Sequence, residues 1–407
     1  MNAPLYFIIL AVLLTVVTGA SPARADQQLF DAIGTRLALM KGVAHYKFAN
    51  QQAVEDLSRE AIVLEQAVDA GRRINLRPSS TERFFKAQIT AAKTIQQYWF
   101  VKWQTTPPSA PAPDLSEIRT ELLYLGDRII ARLNAPIAQN LKPDFIARTK
   151  TPGLPEIAHE ALFDALVDLE FYDGYTAQLK DSGVLRIGVT LDYAPFSFGS
   201  IEAPQGIDID LGNQLAAALG LTVQWVPTTW PSLTQDFTKG RFDIAMGGVS
   251  ITPERSALGH FSVPYHVGGK TPIGRCRDQD RFKSLGSIDQ SDVRVIVNPG
   301  GTNARFANAT IKHAGLQVFP DNRLIFDEIR AHRADVMFTD AIEVALKASQ
   351  HPDLCPLMPG VYLTHQEKGI WLPNDPALKS TIDAWLTARI ADHHIDGLIE
   401  RWLQVAP

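Results

Sequence analysis

Apolar positions recur every three to four residues from Gln27 to about Leu179, the spacing that lines one face of a helix. The pattern breaks at Asn50-Gln51, at Gly71, at the Ser79-Ser80 pair and in the proline-rich PPSAPAPD that ends at Asp114. Ser79 precedes Glu82, and Asp114 precedes Glu117, at the spacing of a capping box, so helices are expected to begin there. Pro155 opens one more. From Leu185 the rhythm changes to short β-rich runs (LRIGVT, LTVQWVPT, FDIAMGGV, RVIVNPG, ADVMFT) that alternate with amphipathic helical segments such as IDLGNQLAAALG, closed by Gly220. That alternation predicts an α/β fold with mostly parallel sheets, so the chain is expected to be multidomain, an all-α part followed by an α/β part. Neither an internal repeat nor a low-complexity tract is visible.

With 407 residues and a formal charge of −5, the chain offers no general attraction to nucleic acid, and function must lie in local sites. The first segment runs apolar from Leu5 to Val17 and then reads Ala23-Arg24-Ala25, a small-x-small signal for cleavage before Asp26. It lacks a basic n-region. A short membrane anchor is the alternative, but the run falls short of the roughly 20 residues a span needs. Residues 1–25 are therefore expected to be a signal peptide, leaving a periplasmic chain with no membrane attachment. Export exposes thiols to oxidation, so Cys276 and Cys355 are expected to form a disulfide, two buried thiols being the alternative. No HExxH or paired CxxC is present, and no metal site is expected.

In the helical part, Arg36, Lys47, Arg59 and Arg119 fall on apolar-facing positions. Arg36 and Lys47 return to nearly the same face at roughly 100° per residue, and Gln88, Ala92 and Gln96 form a stripe along another helix. Taken singly, each reads as a snorkelling cation or a solvated amide. As a set, RLALMKGVAHYKFAN, VEDLSREAIVLEQA and FFKAQITAAKTIQQYWFVKW resemble the exported, all-helical chorismate mutases over about residues 29–170. The resemblance implies that Arg36, Arg59 and Arg119 clamp the two carboxylates of chorismate, with Lys47 and Gln96 at the breaking ether oxygen. Asp56 and Glu60 would assist, Glu60 holding the substrate hydroxyl. Ala92 departs from the pattern, standing where relatives often place a hydroxyl. A pericyclic rearrangement needs no nucleophile or cofactor, only the compact conformer and compensation of developing charge, which Arg forks and ether-oxygen donors supply.

The second part, with DYAPFSF, FDIAMGGVSITPERS, NPGGTNARF and FTDAIE, resembles the two-lobed periplasmic binding proteins for polar amino acids (type II). The resemblance implies that Arg255 grips a ligand carboxylate. Thr302 follows a Gly-Gly turn into a helix, where free N–H groups favour an anion, and Ser250 adds a hydroxyl. FTDAIE holds two acids three residues apart, Asp340 and Glu343, where a receptor needs one. Over about residues 175–404, PTTWPSLTQDFTKGRFDIAMGGVSI, GGKTPI, VNPGGTNARFA and FTDAIEVAL with the two cysteines resemble the periplasmic cyclohexadienyl (prephenate and arogenate) dehydratases. The implied roles follow the chemistry: the ring hydroxyl leaves only if protonated, so Glu343 is the general acid, held protonated by an apolar, water-poor setting. Asp340 takes the position that meets an ammonium in receptors, which extends the implied substrates to arogenate. Lys270 and Asn298 contact substrate oxygens, Asp192 and Tyr193 shape the pocket, and Trp230 supplies an apolar wall.

The expected organisation is residues 1–25 leader, 26–174 helical mutase and 175–407 two-lobed dehydratase. Lobe one is expected at about 180–272 plus 366–407, and lobe two at about 273–365. The expected partners are small molecules, chorismate, prephenate and arogenate, with no cofactor; oligomeric state is left open, a homo-oligomer included. Two rivals remain: a solute receptor with a helical adaptor, and a pair in which one half has become scaffold.

Overall fold

The computed structural model describes residues 22–405. The expected leader lies outside them, except for the backbone of its last four residues, which open the first helix. No helix among the described residues is long and apolar enough to cross a membrane. The chain divides into two compact units. One runs to Ala61 and resumes over Glu82–Leu169; the other joins Ile62–Thr81 to everything from Glu170 onward. The expected boundary near residue 174 thus moves a few residues toward the N-terminus, and one helical segment is reassigned.

Among the described residues, seven α-helices form the N-terminal region: α1 (Pro22–Ala38), α2 (Met40–Ala49), α3 (Leu57–Arg72), α4 (Pro78–Thr105), α5 (Leu115–Ile130), α6 (Lys142–Thr149) and α7 (Glu156–Val167). Leu29, Phe30, Ile33 and Leu37 bury one stripe of α1, which packs on α5 and α6. Phe30 meets Phe145 edge-on at 5.2 Å, and Phe145 meets Phe163 at 5.2 Å. Each such side chain contributes roughly 1.5–3 kcal/mol by leaving water. Asp114 caps α5 by accepting from Ser116 N at 2.7 Å. Ser79 is not a cap. α4 opens one residue earlier at Pro78, whose fixed φ and missing N–H suit a first turn, and the Ser80 and Thr81 hydroxyls donate back to Arg77 O.

Two five-stranded sheets organise the C-terminal region. In the first, the spatial order is Thr222–Pro227, Val184–Val189, Ile244–Ala245, Trp371–Leu372 and His260–Phe261, parallel through the first three and antiparallel at the last two. In the second it is Gly315–Val318, Arg294–Val297, Val336–Asp340, Lys270–Arg275 and Leu354–Pro356, again parallel and then antiparallel. The chain therefore crosses between lobes twice, and the crossing segments pair with each other, His266–Gly268 against Gln366–Lys368. Since Lys270–Arg275 lies wholly in the second sheet, the crossing comes a few residues before the expected position 272. Gly220 ends the helix Ile207–Leu219 in the left-handed conformation, as its place in the sequence suggests. Cys276 and Cys355 form the expected disulfide with Cα atoms 4.8 Å apart, tying together neighbours of the paired strands Lys270–Arg275 and Leu354–Pro356.

Candidate functional site

Between the two lobes lies a cleft of about 330 Å³, built at strand ends and helix starts. The fully buried strand Val336–Asp340 delivers Asp340 to it and passes directly into the helix Ala341–Gln350. Gly300 and Gly301, both with positive φ, turn the chain into the helix Gly301–Thr310 and bring Thr302 and Asn303 to the cleft. A Cβ on Gly300 would meet Pro231 N at 2.9 Å, so the turn needs glycine for space as well as for its dihedral. From the facing lobe, Ser250 and Arg255 follow the strand Ile244–Ala245, and Tyr193 and Trp230 close the side.

Asp340 is the electrostatic centre. Lys270 Nζ donates to its Oδ1 and Lys368 Nζ to its Oδ2, each at 2.6 Å, and the Tyr193 hydroxyl also donates to Oδ2. Burial pushes the Asp340 carboxyl up, but Lys368 and Lys270 outweigh it and hold the group well below the usual carboxylate range. Burial brings Lys270 down to about 8 against the opposing pull of Asp340, so it stays a cation at neutral pH. Lys270 also donates to Asn303 Oδ1, and Lys368 donates to Ser250 Oγ at 3.0 Å. Arg255 is buried with no carboxylate within ion-pair distance among the described residues. It gives one N–H to Ser250 O at 2.9 Å and has its pKa lowered by burial to about 10.

Glu343 sits directly behind this layer, 2 % exposed. Burial raises its pKa to about 7, the Asp340 charge adding to the rise while Thr339, Lys347 and Lys270 oppose it. Its Oε2 accepts from the Thr339 hydroxyl, which in turn accepts from Asn303 Nδ2 at 3.1 Å. At neutral pH this carboxyl is therefore poised between its two forms, the condition a proton donor needs.

Of the residues expected here, Tyr193, Trp230, Ser250, Arg255, Asn298, Thr302 and Asp340 line the cleft. Lys270, Glu343 and Asp192 do not. Lys270 and Glu343 stand behind Asp340 and Thr339, while Asp192 accepts from Trp230 Nε1 at 3.0 Å and sets the ring's orientation. Sequence reasoning missed Lys368, Asn303 and Asn322. Lys368 falls in QEKGIWL, where a lysine beside a strand reads as an edge charge; the fold instead buries it against Asp340, Ser250 and the Tyr193 ring. Asn322 donates to Asp192 O at 2.9 Å and links the lobes.

In the helical region, Lys47 Nζ donates to Val54 O at 2.7 Å, and its surroundings include the charges of Asp56, Glu60 and Arg119. Burial lowers its pKa despite the two acids. Arg36 donates to Leu122 O at 3.1 Å, and burial lowers its pKa as well. Gln96 is buried on α4. Its Nε2 donates to Ala92 O at 3.2 Å, and its Oε1 has no hydrogen-bond partner among the described residues; both amide atoms of buried Gln88 are likewise unpartnered. Three expectations shift. Asp56 caps α3, its Oδ1 accepting from Arg59 N at 3.0 Å, Glu60 is taken up by Lys93 at 3.1 Å, and the Arg59 and Arg119 side chains are exposed.

Residues 185–405 match the model of the bacterial extracellular solute-binding proteins, family 3, and residues 21–97 match chorismate mutase type II. The chain belongs to both families. Its solute-binding half is 43 % identical to the cyclohexadienyl dehydratase of Pseudomonas aeruginosa, an alignment covering 59 % of this chain and 90 % of the relative. Its mutase half is 30 % identical to a monofunctional chorismate mutase of Enterobacter agglomerans, covering 37 % and 87 %. The solute-binding half also resembles the crystal structure of an ancestral amino acid-binding protein, a precursor of cyclohexadienyl dehydratase. That match has 34 % identity and a TM-score of 0.51, and covers 56 % of this chain and 99 % of that one. Membership of an extracellular family indicates export.

Proposed function

We propose that the chain is an exported bifunctional enzyme: the mutase half rearranges chorismate to prephenate, and the solute-binding half converts prephenate to phenylpyruvate. In the first step the ether bond breaks as a carbon–carbon bond forms, with no group transferred to the protein. Arg36, Arg59 and Arg119 would hold the substrate carboxylates. Lys47 and Gln96 would donate to the ether oxygen as it gains charge, a role supported by the burial of the Gln96 amide and by the Lys47 pKa that burial lowers.

In the second step the ring carboxylate leaves as carbon dioxide, its electron pair makes the ring aromatic, and the hydroxyl leaves as water after taking a proton. Glu343 supplies that proton. Arg255 would hold the side-chain carboxylate, Thr302 and Asn298 would donate to substrate oxygens, and Lys270 would hold Asp340 and Asn303 in place from behind the lining. The observation that carries this reading is Glu343 itself: a fully buried carboxyl with a pKa of about 7, behind a cationic cleft, has no use in a receptor that only holds its ligand. Incubating the purified chain with prephenate at neutral pH separates the readings. An enzyme releases phenylpyruvate with its ultraviolet chromophore, whereas a receptor returns prephenate unchanged. Arogenate stands as a second substrate only through the position of Asp340.

A further inference from the structure

Asp208 is a buried acid that the mechanism does not use. It lies in the first turn of the helix Ile207–Leu219, is 0 % exposed, does not line the cleft and has no cation within ion-pair distance among the described residues. Burial raises its pKa against the pull of its hydrogen bonds and of the Lys368 charge. A carboxyl set behind a cleft that takes an anionic substrate is unfavourable unless its oxygens are needed there.

What engages it is a set of donors on one oxygen. Oδ2 accepts from Gly247 N, from Gly248 N at 2.7 Å and from the Tyr265 hydroxyl at 2.7 Å. Two successive backbone N–H groups aimed at one oxygen form a nest suited to an anion. The turn that aims them requires positive φ, 109° at Gly247 and 72° at Gly248. Space is short as well: a Cβ on Gly247 would meet Ser197 Oγ at 2.7 Å, and one on Gly248 would meet Tyr193 Cε1 at 2.6 Å. Two glycines leave the turn with no side chain of its own to fix it, and Asp208 supplies the restraint.

The cleft residues depend on where this turn points. Ser250 follows it, flanked by backbone bonds from Gly369 N to Val249 O at 3.1 Å and from Ile251 N to Glu367 O at 2.9 Å. That register sets the Ser250 hydroxyl against Lys368 at 3.0 Å and offers Ser250 O to Arg255 at 2.9 Å. Tyr265 joins the same frame, its N–H donating to Lys368 O at 3.0 Å. One carboxyl oxygen therefore ties the glycine turn to the chain crossing that carries Lys368.

We propose that Asp208 is a positioning residue for substrate binding: through the Gly247–Gly248 turn it sets where Ser250 and Arg255 stand, and so how tightly the substrate carboxylate is held. This rests on the dehydratase reading above. Asp208 takes no part in proton transfer, because Thr339 and Glu343 come from the strand and helix of the other sheet.

The test has two arms, both on the full chain. In the first, steady-state kinetics on prephenate compare the wild type, Asp208→Asn and Tyr265→Phe, each scaled to its folded fraction by circular dichroism. Asp208→Asn keeps the shape and exchanges charge-assisted bonds for neutral ones, so KM should rise at least about tenfold with kcat within about threefold, the mark of lost uniform binding. Tyr265→Phe removes one donor of the three and should raise KM about threefold. A residue that only stabilises the fold lowers the melting temperature and leaves the KM of folded molecules alone. An unchanged KM in Asp208→Asn overturns the proposal; where that variant does not fold, an unchanged KM in Tyr265→Phe does so. In the second arm, hydrogen exchange at the Gly247 and Gly248 amides should be at least about tenfold faster in Asp208→Asn or, where that variant does not fold, measurably faster in Tyr265→Phe, and an unchanged rate overturns the proposal. Should the wild type leave prephenate unchanged, the dehydratase reading fails, while the exchange arm still decides whether Asp208 holds the turn.

Discussion

The Thr339 hydroxyl donates to Oε2 of Glu343, four residues further along the chain, from the last turn of a fully buried strand into the first turn of a helix. Strand and helix share that junction, so the acid is fixed by backbone on both sides. Its carboxyl is buried enough to keep a proton to about pH 7 and yet lies one residue layer from the cleft. General acid catalysis contributes about 10²–10⁴-fold once the acid reaches the leaving oxygen directly or through one water. Glu343→Gln should lower kcat for prephenate by about that factor and leave phenylpyruvate affinity within about threefold, measured by steady-state kinetics and calorimetry.

The pH dependence has a definite sign. Only the protonated form donates, so kcat for dehydration should be flat below about pH 6 and fall tenfold per pH unit above about 7. The Thr339 hydrogen bond favours the charged form, so Thr339→Val should move this limb to higher pH. A limb that stays in place shows that Glu343 is not the group titrating.

Stability follows the same proton. The folded-state pKa of Glu343 is raised above its ordinary 4.5, so the group's stabilising contribution is complete below about pH 4.5 and is lost as pH rises through about 7. The gap corresponds to a loss of at most about 3 kcal/mol above pH 8. Glu343→Gln should therefore melt at a higher temperature than the wild type at pH 8.5, with the difference shrinking toward pH 5. A difference independent of pH contradicts the assignment.

In the mutase half, Gln96→Ala should reduce chorismate turnover by about 10²–10³-fold, the scale set by losing one aligned donor to developing charge. Far-ultraviolet circular dichroism and melting temperature should stay near those of the wild type, since Gln96 Oε1 has no internal partner to lose among the described residues. Near-normal turnover removes Gln96 from the mechanism.

The disulfide closes a loop of 79 residues, which constrains the unfolded chain by about 4 kcal/mol at most. The double substitution Cys276→Ser with Cys355→Ser should lower the melting temperature measurably. Dehydration per folded molecule should hold, because neither cysteine lines the cleft.

Much of this site was legible in short stretches of sequence because backbone geometry is local. Gly300-Gly301 before Thr302 announces a turn into a helix start, and Asp340 with Glu343 announces a strand passing directly into a helix. Lys368 was not legible. Its burial comes from contacts with Ser250 and Tyr193, more than a hundred positions away, and with Asp340, and a lone lysine ahead of Trp371 carries no local mark of them. Asn303 was hidden for a related reason: its role is to bridge Lys270 and Thr339, which come from neighbouring strands of one sheet. In the helical half, periodicity placed Arg36, Lys47 and Gln96 on inward faces. It could not reveal that Asp56 is used as a cap or that Lys93 takes Glu60.

The most direct test supplies chorismate alone at pH 7 and follows chorismate, prephenate and phenylpyruvate together by proton NMR, for the wild type and for Glu343→Gln. The wild type should consume chorismate and accumulate phenylpyruvate, while the variant should consume chorismate at the same rate and stop at prephenate. Phenylpyruvate formed by the variant at the wild-type rate would contradict the account.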